Sequence, residues 1–262
     1  MERLNSQIDL DAFFTRVARA KQGAQQSALL LDYDGTLAPF VEDRYEAVPY
    51  PGVRRRLEAL RDNPSVHLAI ISGRWSRDLV PLLGIDPAPE IWGCHGGELR
   101  LPDGTVRNAE LADHTIKGLV TIEDWVKLQG WEERIERKPA SVAVHWRGLP
   151  TDEADTMSRR INRRWQHAVD DFALKLHRFD GGIEFRAAGI HKGGAIRSII
   201  RDLPEDTPIA YLGDDRTDED AFDALGDRGL KVLVRSEFRD TAANVWLKPP
   251  DELLAFLDRW LD

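Results

Sequence analysis

The chain has 262 residues, 42% hydrophobic and 31% charged, which is the composition of a globular protein with one or two domains. Its formal net charge of -9 disfavours attraction to nucleic acid or to an anionic membrane, so neither is an expected partner. A single cysteine, Cys94, excludes an internal disulfide, and residues 1–20 hold no apolar run of signal-peptide length. We therefore expect a cytoplasmic protein, and a monomer.

Apolar spacing at both ends of the chain predicts alternating helices and buried strands. Leu10 to Val17 have the spacing of an amphipathic helix, and short apolar runs then alternate with further helical spacings. The predicted strands are Ala28 to Leu31, His67 to Ile71, Glu90 to Gly93, Ile209 to Leu212 and Leu230 to Val234. The first of these runs, Ala28 to Leu31, is wholly apolar, which is typical of a strand buried on both faces of a parallel sheet. Together with the alternating helices, it predicts an α/β fold with a doubly wound parallel sheet.

The middle of the chain follows a different pattern. Apolar and polar residues alternate with period two in Ser141 to Arg147, Phe172 to Phe179 and Gly182 to Ala188, as in half-exposed strands. With a hairpin from Glu132 to Arg147, the segment is predicted as a helix (about 114–128), two strands, a helix (about 153–168) and two strands. We expect a catalytic core of residues 1–104 and 187–262, interrupted by a smaller α/β cap domain of residues 105–186 that duplicates a helix-strand-strand unit.

The residues after each predicted core strand are candidates for chemistry, because ligands of open α/β sheets bind beyond the carboxyl ends of the strands. Asp32 and Asp34 follow the first strand, at a turn where Gly35 lets backbone amides approach an anion. Two carboxylates at this spacing can divide the roles of nucleophile and acid/base.

Three later segments add phosphate and cation chemistry. Ser72-Gly73-Arg74 follows the second strand, where a hydroxyl and the first amides of a helix can hold phosphate. Lys192 opens a helix and can balance phosphate charge, and the acidic run Asp214 to Asp220 suits a divalent cation. Each segment alone also has a structural interpretation, as a turn, a helix start, a solvated lysine or an acidic helix N-terminus. Their conjunction at successive strand ends favours the chemical interpretation.

Four segments carry a family resemblance: Leu31 to Leu37, Ser72 to Arg74, Gly93 to Glu98 and Gly213 to Phe222. In this order they resemble the motifs of the haloacid dehalogenase superfamily, and more narrowly the trehalose-6-phosphate phosphatase family. The resemblance implies a C2-type cap inserted between the second and third motifs. It also implies an Mg²⁺-dependent phosphatase whose partner is a small sugar phosphate, trehalose 6-phosphate. One departure is Ala187, where the family commonly has proline after Glu-X-Arg.

The resemblance also implies residue roles. Asp32 would attack phosphorus to form an aspartyl-phosphate, and Asp34 would protonate the departing sugar oxygen and then activate water. Ser72 and Lys192 would hold the phosphoryl oxygens. The implied Mg²⁺ ligands are Asp32, Asp34 through its backbone carbonyl, Asp214, and Asp218 as an outer ligand.

Pleating gives each cap strand an apolar and a polar face, and the polar face offers hydrogen-bonding groups that suit a disaccharide. The substrate-binding candidates on that face are Lys138, His145, Glu184 and Arg186, and those in the core are Gly73, Arg74, His95 and Glu98. The alternatives are an ordinary solvated sheet face and, for His95 and Glu98, a structural turn.

Two other functions stay open. Another sugar-phosphate phosphatase of the superfamily, such as one for mannosylglycerate phosphate, would share the motifs and the cap type. The second is a catalytically silent sugar-phosphate sensor. Silent relatives are expected to lack Asp32 or Asp34, and both residues are present.

Overall fold

The computed structural model describes residues 1–4, 9–23, 25–167, 169–179 and 181–262. The strands are β1 (Glu2–Arg3), β2 (Ser27–Leu31), β3 (Val66–Ile71), β4 (Glu90–Gly93), β5 (Glu98–Arg100), β6 (Val106–Asn108), β7 (Ile135–Lys138), β8 (Ser141–His145), β9 (Leu174–Phe179), β10 (Gly182–Ala187), β11 (Ile209–Gly213), β12 (Leu230–Val234) and β13 (Val245–Leu247). The helices are α1 (Leu10–Gln22), α2 (Val53–Arg61), α3 (Ser76–Leu83), α4 (Asp113–Leu128), α5 (Thr151–Trp165), α6 (Lys192–Arg201), α7 (Glu219–Leu225) and α8 (Asp251–Leu261). Within these described residues, no helix combines the length and apolar character needed to cross a bilayer.

The chain forms two compact units. The first contains Met1–Arg107 and His191–Asp262, and the second contains Asn108–Ile190. Each unit has its own hydrophobic core.

The first unit is built on a sheet with the strand order β1-β13-β12-β11-β2-β3-β4-β5-β6. The strands from β13 to β4 are parallel, and β1 and β5 pair antiparallel with β13 and β4. The predicted doubly wound parallel sheet is therefore confirmed. The sequence did not predict β1, β5, β6 or β13, because strands of two or three residues carry too little periodicity to be recognised.

Helices cover both faces of this sheet. Alternate residues of β2 point to opposite sides, since Leu29 and Leu31 belong to one core cluster and Ala28 and Leu30 to the other. The first cluster contains the apolar residues of α1, α2, α3 and α8, and the second contains those of α6 and α7. This two-sided burial explains why the β2 sequence is almost continuously apolar.

The second unit is an antiparallel sheet of order β7-β8-β10-β9, with the buried side chains of α4 and α5 packed on one face. A 3-10 turn at Glu132–Arg134 precedes β7, so the hairpin strands are shorter than predicted. The strand predicted from Phe172 begins instead at Leu174, because Asp170–Phe172 form a 3-10 turn followed by Ala173 at φ 50°. Helix α5 ends at Trp165, and the predicted helix limit at residue 168 lies outside the described residues.

Candidate active site

The strand order brings the candidate residues of the first unit together at the carboxyl ends of its central strands. Strands β2 and β11 are neighbours although the whole second unit separates them in sequence, and β3 lies on the other side of β2. The chain winds outward in opposite directions from β2 and β11, which makes their carboxyl ends the switch point of the sheet. Asp32 follows β2, Asp214 follows β11 and Ser72 follows β3.

A buried ion-pair cluster lies at the carboxyl ends of β2 and β11. Lys192 Nζ lies 2.7 Å from Asp32 Oδ1 and 2.7 Å from Asp218 Oδ1. All three side chains are almost inaccessible to solvent, at 4%, 5% and 0% exposure. Carboxylate oxygens of Asp32, Asp214 and Asp218 lie within 4.8 Å of one another, so this group could hold a metal ion.

Asp218 organises the cluster because both its oxygens accept hydrogen bonds. Oδ1 accepts from Lys192 Nζ and from the Tyr211 hydroxyl. Oδ2 accepts from the backbone N–H groups of Asp214 at 3.0 Å and Asp215 at 2.9 Å. The sequence suggested Asp218 only as an outer metal ligand, whereas the structure shows that it also fixes the backbone carrying Asp214. Sequence reasoning missed Tyr211, which reads simply as an apolar position of β11.

The cluster has more negative than positive charge, and the pKa values reflect this excess. Burial, reinforced by Asp218, raises the pKa of Asp32 well above its ordinary value. Burial, and after it the repulsion from Asp218, raises the pKa of Asp214 to about 7. Burial opposes the charge on Lys192, but the attraction of Asp218 and Asp32 outweighs it and raises the lysine pKa. A hard divalent cation among these oxygens would relieve the carboxylate repulsion, so the donor set fits Mg²⁺.

Two glycines allow the close approaches that assemble the cluster. Gly35 has φ +77°, and a Cβ there would lie 2.2 Å from Asp214 Oδ2, so the Asp214 carboxylate packs directly on the Gly35 backbone. A Cβ at Gly193 would lie 2.2 Å from the carbonyl oxygen of Asp220, so α6 can approach the start of α7 only with glycine there. The second approach places Lys192 beside Asp218.

Asp34 is held by an arginine. Arg74 Nε and Nη2 donate to the two Asp34 carboxylate oxygens at 2.7 and 2.6 Å, a bidentate pair. The same guanidinium donates through Nη1 to the backbone carbonyl of Arg44 at 2.5 Å. The Asp34 side chain is 29% exposed, in contrast to the buried Asp32. The sequence predicted Arg74 as a substrate-binding residue, and the structure shows this contact with Asp34.

The other candidates in this unit lie in the loops after β3 and β4 and at the start of β5. Ser72 is buried, and its Oγ accepts from the N–H of Arg74 at 3.1 Å. The backbone N–H of His95 donates to the Ser72 carbonyl at 2.9 Å, and the His95 ring lies against Gly73. Glu98 Oε1 accepts from the backbone N–H of Ser76 at 2.8 Å and so caps the first turn of α3.

In the second unit, two of the candidates, Lys138 and Arg186, lie near the carboxylate of a third, Glu184. Glu184 Oε1 accepts from Ser141 Oγ at 2.6 Å and lies 3.8 Å from Lys138 Nζ. Glu184 Oε2 lies 3.9 Å from Arg186 Nη1. Ser141, Glu184 and Arg186 are buried, which an ordinary solvated sheet face would not be.

His145 stands apart from that group. It ends β8 opposite Gly182, and its Nε2 lies 3.0 Å from Glu136 Oε2. Its ring centroid is 5.3 Å from that of Phe179. His145 therefore has a carboxylate on one side and an aromatic ring on the other.

With this geometry established, comparison with known proteins identifies the family. The family model of the trehalose-phosphatases matches residues 30–248. The chain belongs to the trehalose-phosphatase family. The trehalose-phosphate phosphatase of Mycobacterium tuberculosis is 33% identical over 250 residues, which cover 90% of this chain and 61% of that protein. The chain therefore spans about three fifths of the length of the curated relatives it matches.

Solved structures show the same fold. The trehalose-6-phosphate phosphatase C-terminal domain of C. albicans has a TM-score of 0.74 at 21% identity, covering 100% of this chain and 99% of that chain. A haloacid dehalogenase-like hydrolase from B. subtilis has a TM-score of 0.63 at 15% identity, covering 89% and 99%. At these identities the likeness shows the fold alone, and it confirms the haloacid dehalogenase-like fold expected from the sequence.

Proposed function

We propose that this protein is an Mg²⁺-dependent phosphatase that hydrolyses trehalose 6-phosphate to trehalose and phosphate. The observation that carries the proposal is the buried cluster of Asp32, Lys192, Asp214 and Asp218 at the sheet switch point of a trehalose-phosphatase family member. An ammonium ion and a candidate cation site beside one carboxylate match what phosphoryl transfer needs, which is positioning and compensation of charge.

In the first step, an oxygen of Asp32 attacks phosphorus and the ester bond to the sugar oxygen breaks. The phosphoryl group is then carried on Asp32, and the sugar oxygen takes a proton from Asp34. Lys192 contacts Asp32 Oδ1 at 2.7 Å, which fixes the carboxylate and supplies positive charge beside the phosphoryl oxygens. The buried Ser72 hydroxyl is proposed to hold a phosphoryl oxygen. Mg²⁺, held by Asp32, Asp214 and the backbone carbonyl of Asp34 with Asp218 behind them, would supply the charge that keeps these carboxylates ionised.

In the second step, Asp34 takes a proton from water, and this water attacks the phosphorus of the aspartyl-phosphate. Phosphate leaves and Asp32 is regenerated. The Arg74 contacts bear on this cycle, because a protonated carboxyl oxygen is a weaker acceptor than a carboxylate oxygen. The contact of one Asp34 oxygen with Arg74 is therefore proposed to weaken when Asp34 carries the proton that it donates.

The sugar is proposed to bind the polar face of the second unit. Glu184, Arg186 and Lys138 together supply charged donors and acceptors, with Glu184 lying 3.8 Å from Lys138 and 3.9 Å from Arg186. Such groups hydrogen-bond hydroxyls and lose partners when a hydroxyl is missing, which gives discrimination between sugars. The protein is proposed to act in trehalose biosynthesis in the cytoplasm, as a monomer.

The test is Mg²⁺-dependent phosphate release from a panel of trehalose-6-phosphate, sucrose-6-phosphate, glucose-6-phosphate and mannosylglycerate phosphate. We expect trehalose-6-phosphate to be hydrolysed with the highest kcat/KM. The D32N variant should fold, by circular dichroism, and release no phosphate, because an amide of the same shape is not an anionic nucleophile.

Each alternative has its own outcome in this assay. Comparable rates on all four substrates would reject the trehalose-6-phosphate assignment, and a clear preference for mannosylglycerate phosphate would replace it. Binding of trehalose-6-phosphate without turnover would support the silent sensor. A folded D32N variant with near-parental turnover would reject covalent catalysis through Asp32.

A further inference from the structure

Arg239 makes the closer of two arginine contacts with the backbone that carries Asp214, because Arg235 Nη1 reaches the same Asp214 carbonyl only at 3.4 Å. Arg239 lies in the segment between β12 and β13, and its side chain is 18% exposed. Its Nε donates to the backbone carbonyl of Asp214 at 3.1 Å and its Nη2 to that of Asp215 at 2.6 Å. The planar guanidinium thus spans two successive carbonyl groups, an arrangement that a lysine cannot reproduce.

The arginine is itself fixed from behind. Its Nη1 donates to Glu219 Oε1 and, at 2.8 Å, to the backbone carbonyl of Asp240. Glu219 also accepts from the Thr241 hydroxyl at 2.8 Å and from the Ala242 N–H at 2.9 Å. The first residue of α7 therefore anchors both the guanidinium and the segment that bears it.

Taken together, these contacts immobilise the dipeptide Asp214-Asp215 on both sides of its backbone. Asp218 accepts its two N–H groups, and Arg239 donates to its two carbonyl groups. With the backbone fixed, the Asp214 carboxylate is held against Gly35 and close to Asp32 before any cation arrives. Because this metal ligand is already ordered, metal binding does not have to restrict its conformation, and the entropy cost of binding is smaller.

We propose that Arg239 is a positioning residue for the divalent cation, acting through the backbone of Asp214 and Asp215 rather than by contact with substrate. This inference rests on the proposed Mg²⁺ site. It goes against simple charge counting, because an arginine near a cation site should weaken cation binding by repulsion. The ion pair of Arg239 with Glu219 offsets that repulsion. The net effect of Arg239 is therefore to strengthen cation binding, through the preorganised backbone.

The experiment is calorimetric titration of the full chain with Mg²⁺ alone, for the parent and R239A. We expect the dissociation constant to rise roughly tenfold, the lower end of the cost of removing a group that orients a metal ligand. In phosphate-release assays, the Mg²⁺ concentration for half-maximal rate should rise in parallel, while kcat at saturating Mg²⁺ stays much closer to the parent.

The matched control is R228A. Arg228 also donates to two successive backbone carbonyls, those of Pro204 and Glu205, but outside the cluster. Its loss should lower thermal stability without changing the Mg²⁺ dissociation constant. R239K keeps the charge and loses the fork, so its constant should lie between those of the parent and R239A. If R239A fails to fold, R239K alone decides the question.

The outcomes separate this inference from the proposed function. A parent protein that binds Mg²⁺ while R239A and R239K bind it equally well or more tightly would overturn the inference and leave the metal site intact. A parent that binds no Mg²⁺ would overturn the proposed metal site and the inference with it.

Discussion

Replacing Asp218 by asparagine tests whether its hydrogen bonds or the repulsion among the carboxylates dominates the free energy of unfolding. Oδ1 accepts from Lys192 and Tyr211, and Oδ2 accepts from the N–H groups of Asp214 and Asp215. Asparagine offers one oxygen and one NH₂ group. In either orientation, the NH₂ group meets two donors in a fully buried position.

Two hydrogen bonds to a charged acceptor are therefore lost, at about 1.5–3 kcal/mol each. Against this, the substitution removes the charge that raises the pKa values of Asp32 and Asp214, which relieves repulsion. We expect the hydrogen bonds to win, with D218N losing about 3 kcal/mol of unfolding free energy. Y211F removes one hydrogen bond to this charged acceptor and leaves the carboxylate charges in place, so it should lose about 1.5 kcal/mol, the lower end of that range.

The assay is urea denaturation at pH 7 without Mg²⁺, followed by circular dichroism. D223N is the control, because Asp223 is exposed on the same short helix, α7, and its replacement should change the free energy by less than about 0.5 kcal/mol. A D218N variant as stable as the parent, or more stable, would refute the reasoning, since repulsion would then outweigh the hydrogen bonds.

Two further predictions concern the charged groups of each unit. Because the folded chain holds the Asp214 proton up to a pKa of about 7, above the ordinary value of 3.8, its ionisation costs stability as pH rises through that window. With a metal chelator present, the unfolding free energy of D214N relative to that of the parent should therefore increase from pH 5 to pH 8, as measured by urea denaturation. The same difference in unfolding free energy at both pH values would contradict this. In the second unit, E184A should lower kcat/KM on trehalose-6-phosphate about tenfold while hydrolysis of p-nitrophenyl phosphate barely changes. Equal losses on both substrates would mean that Glu184 supports the catalytic site rather than the sugar.

The sequence predicted the parts of the fold that depend on local pattern. Strand β2 is recognisable because its run of apolar residues is buried on both faces, and the acidic turn at Asp32 marks its end. Strand β13 is not recognisable, because Val245–Leu247 is too short to show periodicity and becomes a strand only by pairing with β12.

The site residues that the sequence did not explain act over long separations. Trp75 provides no side-chain cap for α3, and the missing acceptor comes from Glu98, which belongs to another strand. The Arg74 contact with Asp34 and the Arg239 contacts with Asp214 likewise join segments that only the sheet order brings together. Such pairs leave no spacing signal, so they follow from the assembled fold and not from any one segment.

The position of Asp32 after the strand between β3 and β11 also bears on hydrogen exchange. Its backbone N–H donates to the Leu212 carbonyl at 2.8 Å, a contact between two strands in the interior of the sheet. Fraying at a sheet edge cannot break this bond, and only opening of β2 from β11 exposes the amide. The amide of residue 32 should therefore exchange with an opening free energy close to that of global unfolding. Heat inactivation should then follow unfolding of the whole first unit rather than local unfolding around Asp32.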